Sequence, residues 1–546
     1  MQSTRSLIIG AGLGTLLSLG AAPGVEAKQS SDAASSKEMA TQIQALRDQV
    51  ESLQQRLDSQ AAAQEQTKAE ADSAAEQAAA AKAQATEIPA QVQAQVRTAV
   101  DAAKPKTDKI HYKGVTVTLG GFLAAESVYR SRNEGADIGS SYSAIPYNNS
   151  AVGQTSELRF TARQSRFSAL AEGNVSPDIH LGFYSEVDFL GAAQTANSNE
   201  SNSFTPRIRN MYGTVDWDNA GLHFLAGQSW SLMTMTGKGI TPRAEVLPPV
   251  IDAQYVPGFT WARQPQVRLT KDFDKQVWVA VSLENPQTTF YTGANALPAG
   301  VHLNYNAPAG SLFNSANTLS LNRLPDVVAK IAADPSVAGR SVHLEAFGLY
   351  RSFYERLNYS NQSSSGGGFG AGLIVPLIPK VLDFQVSGMG GKGIGRYGSG
   401  QLADVTFDPA GNIRPISEIE AMAGLTLHPT PKWDVYLFAG EEKDSAQSYF
   451  LTTGSGAVVG YGYGNPLYSN RGCVSETAVG SCVGNTRLLQ QGTTGFWYRP
   501  YVGSFGRIQW GLQYSHTERK AFAGAGGVAP VANDNMVFAS FRYYPY

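Results

Sequence analysis

The chain has 546 residues, a net charge of −2, only 16% charged residues and a mean hydropathy of −0.21. Beyond the N-terminus no uninterrupted apolar run reaches the about 18 residues that a membrane-spanning helix needs, which excludes a helical membrane protein. The absence of a cationic excess gives no argument for a nucleic-acid partner. Glycine is abundant, at 56, and tyrosine and phenylalanine add 24 and 23 aromatic side chains.

Residues 1–27 have the form of a secretory signal. Arg5 is the basic start, "LIIGAGLGTLLSLG" the apolar stretch, and "VEA" up to Ala27 places small residues at a cleavage site. The competing reading, a membrane anchor, is disfavoured by Gly10, Gly12 and Gly14, which break a short apolar run. No cysteine follows it, so a lipoprotein is not expected.

Residues 28–109 form a helical arm and linker. Met39, Ile43, Leu46, Val50, Leu53 and Leu57 alternate in steps of four and three, the a/d seam of a coiled coil. A lone helix has nothing to bury that seam against, and a second copy of the chain is the simplest partner. The alternative is a largely solvated helical linker. The seam runs into an Ala/Gln/Glu-rich tract that Pro105 closes.

From Ile110 the period changes to two. Leu158, Phe160 and Ala162 oppose Arg159, Thr161 and Arg163; then Phe167, Ala169 and Ala171 oppose Arg166 and Ser168. The apolar set has moved from even to odd numbers. A one-residue bulge near Gln164–Ser165 restores the facing. Sixteen strands are expected, starting near 115, 157, 179, 207, 221, 263, 276, 324, 341, 368, 381, 416, 432, 493, 506 and 534. Short turns ("DNAG", "KDFDK", "IPK", "HPTPK", "GSF") alternate with long loops (roughly 130–156, 230–262, 286–323 and 442–492). That alternation is the signature of an outer-membrane barrel. Trp217, Trp278 and Trp433 fall beside short turns, and Trp497 and Trp510 lie on late strands; together they are candidates for the interfacial aromatic girdles. The fold class is therefore all-β: a 16-stranded antiparallel transmembrane β-barrel over 110–546, preceded by an N-terminal periplasmic α-helical (coiled-coil) segment. The closing strand, "NDNMVFASFRYYPY", ends on an aromatic, as outer-membrane assembly signals do, although Pro545 shifts the usual phase by one.

The stretches "TARQSRF", "LAGQSWSL", "IDAQYVPGFTWARQPQVR", "ENPQ" and "DNMVFASFRYYPY" together resemble the DcaP-like family of outer-membrane porins. The order of parts, signal then heptad helix then barrel, resembles it too. The resemblance implies a trimer with its helical arms in the periplasm, and passive uptake of small anionic solutes such as dicarboxylates.

From Ile110 onward cations and acids balance at 32 each, and 22 of those 32 cations are arginine. Arg159, Arg163, Arg166, Arg207, Arg209, Arg268 and Lys330 fall at inward phases. A ring of guanidinium groups favours anions and can hold a carboxylate through two hydrogen bonds. Equally, these cations can pair with inward Glu126, Glu186, Asp188 and Glu345 and brace the wall. The segment from Trp230 to Gly258, with Lys238, Arg243 and Glu245, is a candidate constriction loop or, otherwise, an external cap. Cys473 and Cys482, close together in a loop of an exported chain, suit a disulfide. "GGKGIGRYGSG" (Gly390 to Gly400) lacks the spacing of a phosphate-binding loop and is expected to be a mobile external loop. "SNQSSSGGG" is expected to be a serine-rich loop. No metal-ligand spacing, cofactor motif or partnered nucleophile emerges, so a channel is expected rather than an enzyme. The alternative role is a structural anchor whose arm grips peptidoglycan.

Overall fold

The computed structural model describes residues 109–191, 205–298, 300–302, 304–305 and 319–546, with short pieces between 51 and 76. The chain divides into two units, Met1–Pro105 and Lys106–Tyr546. In the first, the described pieces, such as 65–70, are helical and exposed. The signal segment and all six residues of the heptad seam lie outside the described residues.

The second unit is a closed antiparallel barrel of sixteen strands. In chain order they are β1 (Val115–Arg130), β2 (Glu157–Thr161 continued by Arg166–Ser176), β3 (Ile179–Gly191) and β4 (Thr205–Trp217). Next come β5 (Leu222–Trp230), β6 (Arg263–Phe273), β7 (Val277–Glu284) and β8 (Asp326–Ala333). Then follow β9 (His343–Leu357), β10 (Ser360–Ile378), β11 (Leu382–Lys392) and β12 (Ser417–Thr430). The last four are β13 (Trp433–Asp444), β14 (Thr486–Gly503), β15 (Gly506–Ala521) and β16 (Val531–Tyr544). Each strand pairs with its neighbour in sequence, and β16 returns to β1 from Leu123↔Tyr543 to Arg130↔Met536. Below Leu123 the β1 edge is covered by a short strand, Lys109–Tyr112, which turns back on Val115–Thr118. Its tight turn uses Lys113 and Gly114, both with positive φ (47° and 80°). That is the backbone a two-residue hairpin requires.

The pleat sorts side chains as the alternation demands. On β7, Val277, Val279, Val281 and Leu283 point out and are exposed, while Trp278, Ala280, Ser282 and Glu284 point in and are buried. The expected bulge in β2 is present. Between the pairs Glu126↔Thr161 and Phe122↔Arg166, β1 advances four residues (126 − 122) and β2 five (166 − 161). The Ser165 hydroxyl accepts the Ala124 amide at 2.9 Å, which satisfies a ladder donor that the bulge leaves over.

Three expectations are corrected. Trp278 and Trp497 face inward, 5% and 4% exposed, so they are not girdle residues; Trp433 and Trp510 do cluster on the outer face with Phe496 and Tyr498. "SNQSSSGGG" is strand, the first half of β10, paired with β9 down to Leu357↔Ser360. The glycine-rich stretch after β11 is not an outward loop: Ile394 and Tyr397 are fully buried, and the segment 393–416 folds back into the barrel.

The narrowed lumen as candidate functional site

Loop 231–262, between β5 and β6, crosses the inside of the barrel. Near its start the Thr234 carbonyl accepts Lys330 Nζ of β8 at 2.9 Å. At its tip the Gly239 amide donates to Asp334, in the turn between β8 and β9, at 2.9 Å. On the way back the Pro249 carbonyl accepts Trp497 Nε1 of β14 at 2.7 Å, and the Ile251 amide donates to Gln513 Oε1 of β15 at 2.5 Å. The Gly258 amide then reaches Glu442 of β13 at 2.8 Å. Glycine is required at two of these points. At Gly258 (φ +86°) a Cβ would lie 2.0 Å from the Ala421 carbonyl oxygen, and at Gly239 (φ +53°) it would lie 2.4 Å from the Trp278 ring.

A loop buried in a barrel must find acceptors for its amides. Inward carboxylates provide them. Glu284 accepts the Leu232 amide, Glu345 that of Thr236 and Glu442 that of Gly400 from loop 393–416, while Asp252 of the inner loop itself accepts that of Ser140 from loop 131–156. Glu284, Glu345 and Glu442 face inward and serve this purpose.

Between loop segment 247–255 and the wall of β1–β4 and β13–β16 lies a cavity of 470 Å³. Five arginines line it, Arg166, Arg209, Arg499, Arg507 and Arg542, against the four carboxylates Glu186, Asp188, Asp252 and Asp434. Arg209 Nε lies 2.6 Å from Glu186 and its Nη1 3.0 Å from Asp188. Arg166 sits 3.6 Å from Glu186, Arg542 2.8 Å from Glu126, and Arg499 bonds Asp434. Arg507 stacks on Tyr544, 4.0 Å from the ring centre. Donors are left over: Nε of Arg166, Nη2 of Arg209 and Nε of Arg507 are buried without a hydrogen-bond partner. Burial raises the Asp252 carboxyl above its ordinary range, against the pull of Arg130 and its hydrogen bonds, which weakens the anionic side further.

Of the seven inward cations expected from sequence, Arg166 and Arg209 line this cavity. Arg207 makes a two-point contact with Asp188 at 3.0 and 2.8 Å, and its side chain is 37% exposed. Arg159 is half exposed beside Glu157, 3.4 Å away. Arg163 leaves the stripe: the bulge turns it to the carbonyls of Phe189 and Gly191 and to Asp137. Arg268 is buried and bonds the Trp230 carbonyl and Gln266. Lys330 is buried 2.9 Å from Glu345. The bracing role weighed for these cations is thus present in the ion pairs of Glu186, Asp188 and Glu345, whereas Glu126 pairs with Arg542, outside the seven.

In the inner loop, Lys238 is exposed at the tip, Arg243 lies 3.8 Å from Glu172, and Glu245 is half-buried, where desolvation pushes its carboxyl up despite Arg268 and Lys330. Cys473 and Cys482 are bonded, S–S 2.05 Å, in the loop between β13 and β14. Arg499, Arg507 and Arg542 escaped the sequence reading. The last two share an inward phase with Gln509 and Ser540 that alternation alone exposes. Arg499 likewise continues the inward phase of Thr493 and Trp497.

No protein-family model matches the chain, and no curated protein matches it. Solved structures do. The outer-membrane channel DcaP of Acinetobacter baumannii superposes with a TM-score of 0.56 at 20% identity, over 80% of this chain and 99% of that one. An anion-selective porin from Comamonas acidovorans covers 79% of this chain and 99% of its own at 11% identity, TM-score 0.42. OmpF of Salmonella typhi covers 80% and 99% at 7% identity, TM-score 0.43. The barrel has the fold of the DcaP outer-membrane channel.

Proposed function

We propose that the chain is a passive outer-membrane porin that favours small anions, with dicarboxylates as the expected solutes. In this reading the long loops face outward from the cell and the short turns face the periplasm, where residues 28–109 form the arm after removal of 1–27. The working assembly is a homo-oligomer, a trimer, set in outer-membrane lipid.

The observation that carries the anion preference is the cavity at the inner loop, lined by five arginines and four carboxylates, where guanidinium nitrogens of Arg166, Arg209 and Arg507 have no hydrogen-bond partner. A second feature supports it. Glu418, Glu420, Glu442 and Asp444 of β12 and β13 are at most 2% exposed. Those acids lie beneath the inner loops, out of reach of a passing solute. Diffusion through a site of this kind needs attraction without capture. Carboxylates already pairing with the arginines keep the net field shallow. Two unit charges about 8 Å apart in water interact by only roughly 0.5 kcal/mol.

The test is reversal potential across planar bilayers under a salt gradient, for the wild type and for Arg166→Gln with Arg507→Gln. The wild type is expected to prefer the anion, and the double variant to lose about two- to fivefold in anion-to-cation permeability, an effect of about 1 kcal/mol or less. Succinate flux should fall more than that of a neutral sugar of similar size. Equal slowing with an unmoved reversal potential would make these arginines wall braces. A protein that does not conduct at all would favour the anchoring role instead.

A further inference from the structure

Four of the seven histidines stand at the short-turn end of the barrel, at inward positions, and each uses both ring nitrogens. His223 lies 2.7 Å from Asp216 and 2.9 Å from Asp272; His428 lies 2.6 Å from Asp434 and 3.3 Å from Asp383. His180 contacts Asn174 at 2.7 Å and Asp218 at 3.1 Å. His343 lies between Asp334 (Nδ1, 2.6 Å) and Glu345 (Nε2, 3.1 Å).

His343 differs from the other three in two respects. It is buried, 3% exposed. Its two carboxylates are also the ones that hold the tip of the inner loop. Asp334 accepts the Gly239 amide at 2.9 Å, and Glu345 accepts the Thr236 amide at 3.1 Å and its hydroxyl at 3.2 Å. Beyond that tip, Gly239 lies against Trp278.

We propose that the His343 imidazolium latches the tip of loop 231–262 to the periplasmic mouth, so that loss of its proton loosens the tip and changes conductance; the functional consequence rests on the porin reading above. The chemistry is a count of hydrogens. A neutral imidazole carries one N–H and one lone pair. Set between two carboxylates, it turns that lone pair against one of them, and only the doubly protonated ring donates to both. The charged groups facing His343 are Asp334 from the turn, Glu345 from its own strand and Lys330 from β8, 2.9 Å from Glu345. From the loop, Thr236 and Gly239 complete the site, and Glu245 and Arg268 lie one step further out, beside Lys330. Removing one positive charge leaves Glu345 with Lys330 and takes from Asp334 the cation it is paired with. The carboxylate that faces the bare nitrogen is then pushed away from the ring and holds its loop amide less firmly. Histidine is the side chain whose charge changes between pH 5 and 8, and the mouth is open to the aqueous phase there.

The experiment has two readouts on the full-length protein. The first is single-channel flicker in planar bilayers from pH of about 5 to about 8, for the wild type, His343→Gln and His428→Gln; one released proton limits the change to about tenfold per pH unit. The wild type is expected to flicker more as pH rises. His343→Gln should flicker at every pH as the wild type does at the top of the range, and His428→Gln should follow the wild type. A flat wild type, or a response kept by His343→Gln, overturns the latch; a response abolished by His428→Gln assigns the effect to the charge of the mouth and overturns it equally. The second readout needs neither conduction nor a histidine variant: a spin label at Lys238→Cys should gain mobility from acid to mildly alkaline pH. An unchanged label refutes the latch even if the porin reading holds, and a non-conducting protein refutes the porin reading while the label still tests the latch.

Discussion

Glu134, in loop 131–156, shows how a single buried carboxyl couples this molecule to pH. Burial is the largest cause that lifts it to about 8, while Arg130 and the Ser141 amide, 2.7 Å away, pull it down. A carboxyl raised in the folded state stabilises most below its unfolded value of about 4.5 and loses that contribution as pH climbs through about 8. Hydrogen exchange at residues 134–141, corrected for intrinsic rate, should therefore be slower at pH of about 6 than about 9. Glu134→Gln should abolish the difference. Another residue-scale effect concerns the acid ladder. Glu420 pairs directly across from Glu442 and Glu418 from Asp444. Both oxygens of Glu418 and of Asp444 are buried and unpartnered. Like charges set opposite each other on a sheet destabilise it. Glu418→Gln should raise the midpoint of thermal unfolding, read by loss of the compact gel form; a lowered midpoint would mean the pair has a partner that matters.

At the scale of elements, the inner loop depends on its glycines. A Cβ at Gly258 meets backbone on β12, which cannot yield as a side chain can. Gly258→Val should cost about 1–3 kcal/mol and displace the loop from Glu442. Larger conductance and faster proteolysis within 231–262 would register it; unchanged values of both would show that the loop tolerates the shift. The same scale separates what the sequence disclosed from what it concealed. All sixteen strands were legible, since a two-residue period with one apolar face survives wherever lipid lies outside. Starts were missed where that condition fails. β10 begins at Ser360, not near 368, and β14 at Thr486, not near 493, since serine, glycine and glutamine in these stretches give no apolar face to count. The bulge in β2 was visible as a change of phase. The inward path of 393–416 was not: glycine-rich composition is compatible with an exposed loop and with a close-packed one, and only the acceptors, Glu442 above all, decide between them. The arginines of β2 and β4 were found by phase. Those of β14–β16 needed the knowledge that closure brings the two ends of the chain to one cavity.

For the whole molecule, the outer wall is the strongest constraint. Val267, Leu269, Val279, Val281 and Ile331 present an exposed apolar face on β6–β8. Val281→Arg should cost roughly 2–4 kcal/mol if that face meets the bilayer midplane, and much less near its edge. The cost is measurable as a shift in urea midpoint for barrels refolded into vesicles. A neutral result would place the wall against water or protein rather than hydrocarbon.

The inner loop follows β5, yet two of its anchors, Trp497 and Gln513, belong to β14 and β15. The plug thus lies early in the chain and the last of its sockets late. Until those strands arrive, the Ile251 amide lacks its partner, and the cavity lacks three of its five arginines. Filling the lumen and sealing the wall therefore draw on the same late strands. A half-built barrel of this sequence is an open sheet holding an unmoored strap, and the final hairpin, β15–β16, both closes the cylinder and locks what is inside it.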